Sequence, residues 1–289
     1  MKTLTLTLLL LALLLFIGCG KDITPIEPTP IPSVTPVPSP EPSTVPEPEI
    51  FTGYIKPPAG GMAPTAPFKL AEHYAHPLRF SWVNLGFDIP VRNQGNCGSC
   101  WAHGTAEALE FALQIYLGKT EQLSTQELVS CDHSVYGCQG GDFAADYVLK
   151  NGLTSEALYP YTASNSKCKS GIKPVGFAVS AINVGANERS APTTEQLKDA
   201  LMQFGPLSVT VAAGRGWSGF KGEVMSPCTN KSINHIVLIY GWTEKGWIMR
   251  NSWGKSFGRN GDAIMPYGCD RIGNEAATFL VKPLAQYKK

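Results

Sequence analysis

The chain has 289 residues, of which 43% are apolar and 16% charged, with a formal net charge of +1. That length and apolar share support a sizeable core in one large domain or two ordinary ones, and exclude a chain disordered throughout. The near-zero charge offers no basic stripe for nucleic acid and no acidic solvating tail.

Residues 1–19 read as an export signal, with Lys2 near the start, an apolar run to Ile17 and the small Gly18 before Cys19. The run is short of the roughly 20 residues that a membrane-spanning helix needs. Phe16-Ile17-Gly18-Cys19 resembles the lipobox of prokaryotic lipoproteins, except that Phe16 stands where Leu is usual. The resemblance implies lipidation at Cys19 and attachment at a membrane surface; the alternative is an ordinary signal and simple secretion. Residues 20–50 form a Pro-rich linker, expected to run extended at about 3.1 Å per residue and to hold a domain off the surface. Residues 51–77 form an irregular N-terminal segment, still rich in Gly and Pro as far as residue 67. Folded structure is expected from near Phe68, and residues 78–289 read as one globular unit.

After the turn-rich stretch Gln94–Ser99, residues 100–117 predict a helix. Ala102, Ala106, Leu109, Leu113 and Tyr116 fall on one face, and Gly118 stops it. Ser99 is placed as its N-cap, which puts Cys100 in the first turn. Ser124 opens a second helix with Glu127 completing a capping box; a third covers about 143–150 and a fourth Thr194 to Phe204. From there LSVTVAA, HIVLIYGW and GWIMRNSW are short apolar or alternating runs between turns, which read as strands. Helices first and strands later predict an α+β fold, a helical half packed on a sheet or barrel half with a cleft between.

A helix N-terminus brings partial positive charge and free N–H groups to Cys100, conditions that favour a thiolate. If 235–241 and 247–253 pair about a turn at Thr243 to Gly246, His235 and Asn251 lie near one end of neighbouring strands. An Asn there can fix the tautomer and direction of an imidazole that serves a nucleophile. His103, His133, His73 and His76 are the competing bases; His103 is the nearest in sequence but points back along its own helix. The CxxC of Cys97 and Cys100 lacks the thioredoxin-like strand that redox chemistry wants and the second pair that zinc wants. With Cys19 and Cys100 set aside, six cysteines remain, an even set that reads as disulfides whose pairing the spacing alone leaves open.

Four motifs now stand in order: QGNCGSCWA from Gln94, GCQGG from Gly137, NHIVLIYGW from Asn234 and NSWGKSFGRNG from Asn251. Together they resemble the papain-like cysteine proteases over about residues 78–280. The resemblance implies a two-lobed fold, a helical N-terminal lobe and a β-barrel-like C-terminal lobe, with the active-site cleft between. It implies Cys100 as nucleophile, His235 as base and acid, Asn251 as orienter, and an oxyanion hole from the Gln94 side-chain amide and the Cys100 N–H. Trp253 matches an aromatic shield over His235 and Asn251. Gly140 and Gly141 match the open edge along which an extended peptide pairs, and Asp142, Phe143, Thr210 and Ile236 match the main specificity pocket. The implied bridges are Cys97 with Cys138, Cys131 with Cys168 and Cys228 with Cys269. A protein or peptide substrate, a monomer, and no metal, organic cofactor or nucleic acid complete the expectation. An inactive peptide-binding domain and an aminopeptidase are the alternatives.

This chain departs from the family pattern at His103 (Phe is usual), Gly104 (Ser or Ala), Asn234 (Asp) and Ile236 (Ala or Gly), the last expected to narrow the pocket. The usual helical inhibitory prosegment is not recognisable, and residues 51–67 are expected to pack on the domain or near its cleft instead.

Overall fold

The computed structural model describes residues 53–55, 75–184, 191–229 and 231–282. The signal, Cys19, the linker and the stretch around Phe68 lie outside the described residues. The first long helix, α1 (Cys100–Leu117), has the predicted bounds, and Gly118 ends it in the left-handed region at φ 65°. It differs from an amphipathic surface helix in being buried on every side from Cys100 to Leu113. The cause is its place in the middle of the molecule, with α2 (Thr125–Cys131) on one side and strands on the other.

In α2 the Ser124 hydroxyl accepts from the Glu127 N–H at 3.0 Å, but only this half of the expected capping box forms. The Glu127 carboxylate accepts instead from the Thr154 N–H and the Tyr147 hydroxyl. The third helix, α3 (Ala145–Asn151), starts later than predicted, since Phe143 is drawn into the core to stack on Phe279 at 4.8 Å. α4 (Thr194–Phe204) forms as predicted, under a complete capping box of Thr193 and Gln196.

Seven strands form one antiparallel sheet. They are β1 (Phe80–Ser81), β2 (Ser180–Asn183), β3 (Leu207–Val211), β4 (His235–Thr243), β5 (Gly246–Arg250), β6 (Asp262–Met265) and β7 (Ala276–Leu280), in the order β2-β7-β3-β4-β5-β6 with β1 beside β4. β4 is its axis. It pairs with β3 from Val211↔His235 to Leu207↔Ile239 and makes the predicted hairpin with β5, bulged between Ile239 and Gly241. One core gathers α1, α2 and α3 around Trp101, Leu109 and Phe111; the other fills the space between the sheet and α4 around Phe204, Val209, Trp242 and Met249. The α+β, two-lobed expectation holds.

Two contacts fix how α1 meets β4. A Cβ on Gly104 would lie 2.5 Å from Ser208 Oγ and 2.6 Å from Ile236 Cγ2, so the helix reaches this depth only because residue 104 has no side chain. Two of the departures therefore compensate: the larger Ile236 turns a methyl group into the gap that Gly104 leaves. On β5, buried Arg250 clasps Asp262 through Nε and Nη2 at 2.9 and 3.0 Å and reaches Asp88 and the Ile89 carbonyl through Nη1, fixing the strand just before Asn251.

Gly104→Ala is expected to destabilise by about 1–3 kcal/mol through overpacking. Combined with Ile236→Ala it should cost clearly less than the sum of the two single changes in urea unfolding. Strict additivity would show that the two positions do not share this space.

Candidate active site

Cys100 opens α1, and among the described residues it is the one free cysteine. The six other described cysteines form the three bridges Cys97–Cys138, Cys131–Cys168 and Cys228–Cys269. The first ties the loop just before Cys100 to the Gly137–Gly141 loop. Ser99 holds the N-cap position, yet contrary to expectation its hydroxyl makes no cap bond. It lies 2.5 Å from the Tyr161 hydroxyl instead. Burial pushes the Cys100 thiol up to about 12, while backbone N–H groups of Ile236, Trp101 and Cys100 act to lower it.

His235 is fully buried at the start of β4, and its Nε2 lies 2.8 Å from Asn251 Oδ1. The Ser252 N–H also donates to that Oδ1, so the oxygen is an acceptor and Nε2 carries the proton. Nδ1 is thereby left with its lone pair, buried and without a partner among the described residues. Burial holds the His235 imidazole down to about 4 against the upward pull of Asn251. A lone thiolate or a lone imidazolium is thus costly here. Two opposite charges formed together would each offset the cost of the other.

The Trp253 ring lies 5.0 Å from the His235 ring, and its Nε1–H donates to Gln94 Oε1 at 3.2 Å. Ser252 Oγ donates to the same oxygen at 2.7 Å. These two donors fix the amide's orientation, so that its NH2 faces the loop before Cys100 and gives one hydrogen bond to the Cys97 carbonyl at 2.9 Å. Neither Ser252 nor Tyr161 was singled out from sequence, because each acts through partners distant along the chain. His103, the competing base, packs edge-on to Tyr161 at 4.9 Å, and neither of its ring nitrogens has a partner among the described residues.

Along the opposite wall, Gly141 pairs with an intramolecular segment. The Gly141 N–H donates to the Gly53 carbonyl at 2.8 Å, the Ile55 N–H to the Gly141 carbonyl at 2.9 Å, and the Tyr54 N–H to the Asn234 carbonyl at 3.1 Å. Ile55 lies against Gly140, where a Cβ would fall 2.7 Å from its side chain. Tyr54 is 7% exposed and its hydroxyl donates to Glu275 Oε2 at 2.6 Å. This much of the expected packing of 51–67 is seen; the remainder, residues 51–52 and 56–67, lies outside the described residues. Thr210 and Ile236 are neighbours across β3 and β4, and the Thr210 hydroxyl takes the Glu275 N–H at 3.0 Å. Phe143 stacks on Phe279, and Ile236 turns a methyl group toward Gly104. Burial raises the Asp142 carboxyl to about 7, with Glu275 adding to the effect. Glu275 went unnoticed in the sequence.

The family model described as papain family cysteine protease matches residues 76–278. The chain belongs to the papain family. It is 36% identical to a cathepsin L-like proteinase of Phaedon cochleariae and 38% to cathepsin K of Mus musculus, each over 65% of this chain and 59% of the relative. It thus spans about three fifths of those relatives. Zingipain-2 of Zingiber officinale is 36% identical over 64% of this chain and 85% of its own. Among solved structures, procathepsin L2 proteinase from Tenebrio molitor larval midgut superposes with a TM-score of 0.72 at 28% identity, covering 79% of this chain and 78% of that one. Bromelain from Ananas comosus, solved with the E64 inhibitor, gives a TM-score of 0.65 at 28% identity over 72% of this chain and 100% of that one. The family model starts at residue 76, so it does not bear on Cys19.

Below Cys100, α1 carries Glu107 fully into the interior. Burial raises its carboxyl to about 8, against the partial relief of the Arg92 charge. Between about pH 4.5 and 8 the folded papain-family domain therefore holds a proton that the unfolded chain has lost, and this group's contribution to stability falls as pH rises. Glu107→Gln should remove that slope, so that the variant gains on the parent as pH rises from about 5 to 8 in denaturant midpoints. Parallel curves would show an ionised Glu107.

Proposed function

We propose that this chain is an endopeptidase using Cys100 as nucleophile, His235 as base and acid, Asn251 as orienter and Gln94 with the Cys100 N–H as oxyanion donors. The observation that carries this reading is the chain of fixed roles. Asn251 accepts from Nε2, Nδ1 keeps its lone pair, and Cys100 stands unbridged at a helix start. His235 takes the thiol proton as sulfur attacks the peptide carbonyl. The S–C bond forms, the carbonyl electrons move onto oxygen, and the Gln94 amide and Cys100 N–H receive that oxyanion. The imidazolium gives its proton to the leaving nitrogen as the C–N bond breaks. Water, deprotonated by His235, then cleaves the thioester and restores the thiol.

The three disulfides support folding in an oxidising, extracytoplasmic compartment. For the leader we retain lipidation at Cys19; labelling by a fatty acid analogue that is lost in Cys19→Ala would support it, and unlabelled protein would leave simple secretion.

An epoxysuccinyl peptide should add once, at Cys100, with the adduct abolished by Cys100→Ala and strongly slowed by His235→Ala in mass spectrometry. Gln94→Ala should lower kcat by about 10²–10³, the usual cost of one oxyanion donor. No adduct on folded, disulfide-intact protein would move the reading to an inactive peptide-binding domain.

Gly53–Ile55 lies where an extended substrate pairs, so the domain covers its own cleft. Gly53 is beside Gly98 near the nucleophile loop, and the segment leads outward to Ile55 at Gly140. An acyl-side substrate on this edge would run toward its N-terminus as it leaves Cys100, whereas this segment runs toward its C-terminus. It occupies the edge without presenting a bond for attack. Tyr54→Gly is expected to raise kcat/KM for peptides at least several-fold in the full chain; an unchanged value would show that the segment does not compete with substrate.

A further inference from the structure

The Tyr161 hydroxyl touches neither Cys100 nor His235, yet it joins two parts of the oxyanion site. It donates to the Gln94 backbone carbonyl at 2.9 Å and lies 2.5 Å from Ser99 Oγ. With its one proton given to Gln94, Tyr161 accepts from Ser99, and at 2.5 Å it is a nearer acceptor for the Ser99 proton than the Cys97 carbonyl at 3.5 Å. We propose that Tyr161 is a positioning residue for the oxyanion site, holding the Gln94 turn in place and keeping the Ser99 hydroxyl away from the start of α1.

The physical argument begins with a missing bond. A serine at an N-cap ordinarily accepts from the second or third N–H of its helix. Ser99 sits at that position with φ −111° and ψ 21°, outside the extended backbone of a capping serine, and makes no such bond. Elsewhere in the chain Ser124 and Thr193 do cap their helices. Ser124 caps while giving its own proton to the Tyr159 carbonyl, so what differs at Ser99 is its backbone conformation and the turn of its hydroxyl toward Tyr161. The first-turn N–H groups left uncapped include those of Cys100 and Trp101, which are turned toward the sulfur. A cap at Ser99 would occupy donors at this helix end and draw the backbone toward the capped conformation.

The same hydroxyl acts on the other side of the site. Gln94 is anchored through its side-chain oxygen by Ser252 and Trp253 and through its backbone carbonyl by Tyr161. The ring of Tyr161 is itself held by His103 edge-on at 4.9 Å. The phenol, with the Cys97 N–H that also reaches the Gln94 carbonyl at 3.3 Å, therefore helps set the spacing between the side-chain donor and the backbone donors that the proposed mechanism aims at a single oxygen.

This inference rests on the oxyanion reading given above, and the test separates the two. In the full chain, Tyr161→Phe removes the hydroxyl and keeps the ring. Its kcat should fall about tenfold with KM within twofold. Affinity for a peptide aldehyde, whose hemithioacetal oxygen needs the oxyanion donors, should weaken by the same factor. Alkylation of Cys100 by iodoacetamide, which develops no oxyanion, should stay within about twofold. Adding Ser99→Ala to Tyr161→Phe should restore part of the loss, because alanine cannot cap. Wild-type kcat and aldehyde affinity in Tyr161→Phe would overturn the proposal, as would a loss that extends equally to alkylation. If Gln94→Ala also leaves aldehyde affinity unchanged, the oxyanion reading itself fails. Should Tyr161→Phe not fold, Ser99→Asn, a neutral residue that caps as well as serine, should lose kcat and aldehyde affinity together, and unchanged values there would overturn the proposal.

Discussion

The active site depends on how closely α1 can approach β4. Gly104 lets the helix settle against Ser208 and Ile236. That contact brings the helix start, where Cys100 stands, to the strand that begins with His235. The distance is set by the absence of a side chain four residues along from Cys100. Hydrophobic burial drives the two cores together, but it is non-directional and cannot place two atoms for proton transfer. Steric contact at Gly104, the Cys97–Cys138 bridge and the Arg250 clasp next to Asn251 supply the direction.

Burial then sets the electrostatics. Cys100 and His235 are both withdrawn from water, which penalises either charge alone; in the proposed mechanism the thiolate therefore forms only together with its imidazolium. The Tyr54 segment adds a further layer by pairing with Gly141 and Asn234 and packing on Gly140. Departures from the family pattern fit the same frame. Gly104 and Ile236 exchange volume across one contact, and Asn234 binds the Ala213 N–H and carbonyl through its side chain while its own carbonyl receives Tyr54.

Features written in local chemistry were legible in the sequence. The bounds of α1 follow from the turn-rich loop before Cys100 and from Gly118, and the β4–β5 hairpin follows from two apolar runs about a four-residue turn. The resemblance supplied the disulfide pairing, which spacing left open, and the roles around Cys100. What could not be read were contacts between residues far apart. Nothing adjacent to Tyr54 announces Glu275, 221 positions away, and nothing near Ser99 announces Tyr161. The capping box at Ser124 formed by half because Glu127 met a Thr154 N–H that only the tertiary fold brings near. Ser99 failed to cap for the same kind of reason.

The claim that Cys100 and His235 charge only as a pair is tested most directly by the pH dependence of Cys100 alkylation in the full chain, with and without His235. With His235 present the rate should hold a plateau into mildly acidic pH, since the thiolate exists by proton transfer within the pair. In His235→Ala it should climb roughly tenfold per pH unit through neutrality, as a lone buried thiol requires. Superimposable profiles in the two proteins would contradict the account.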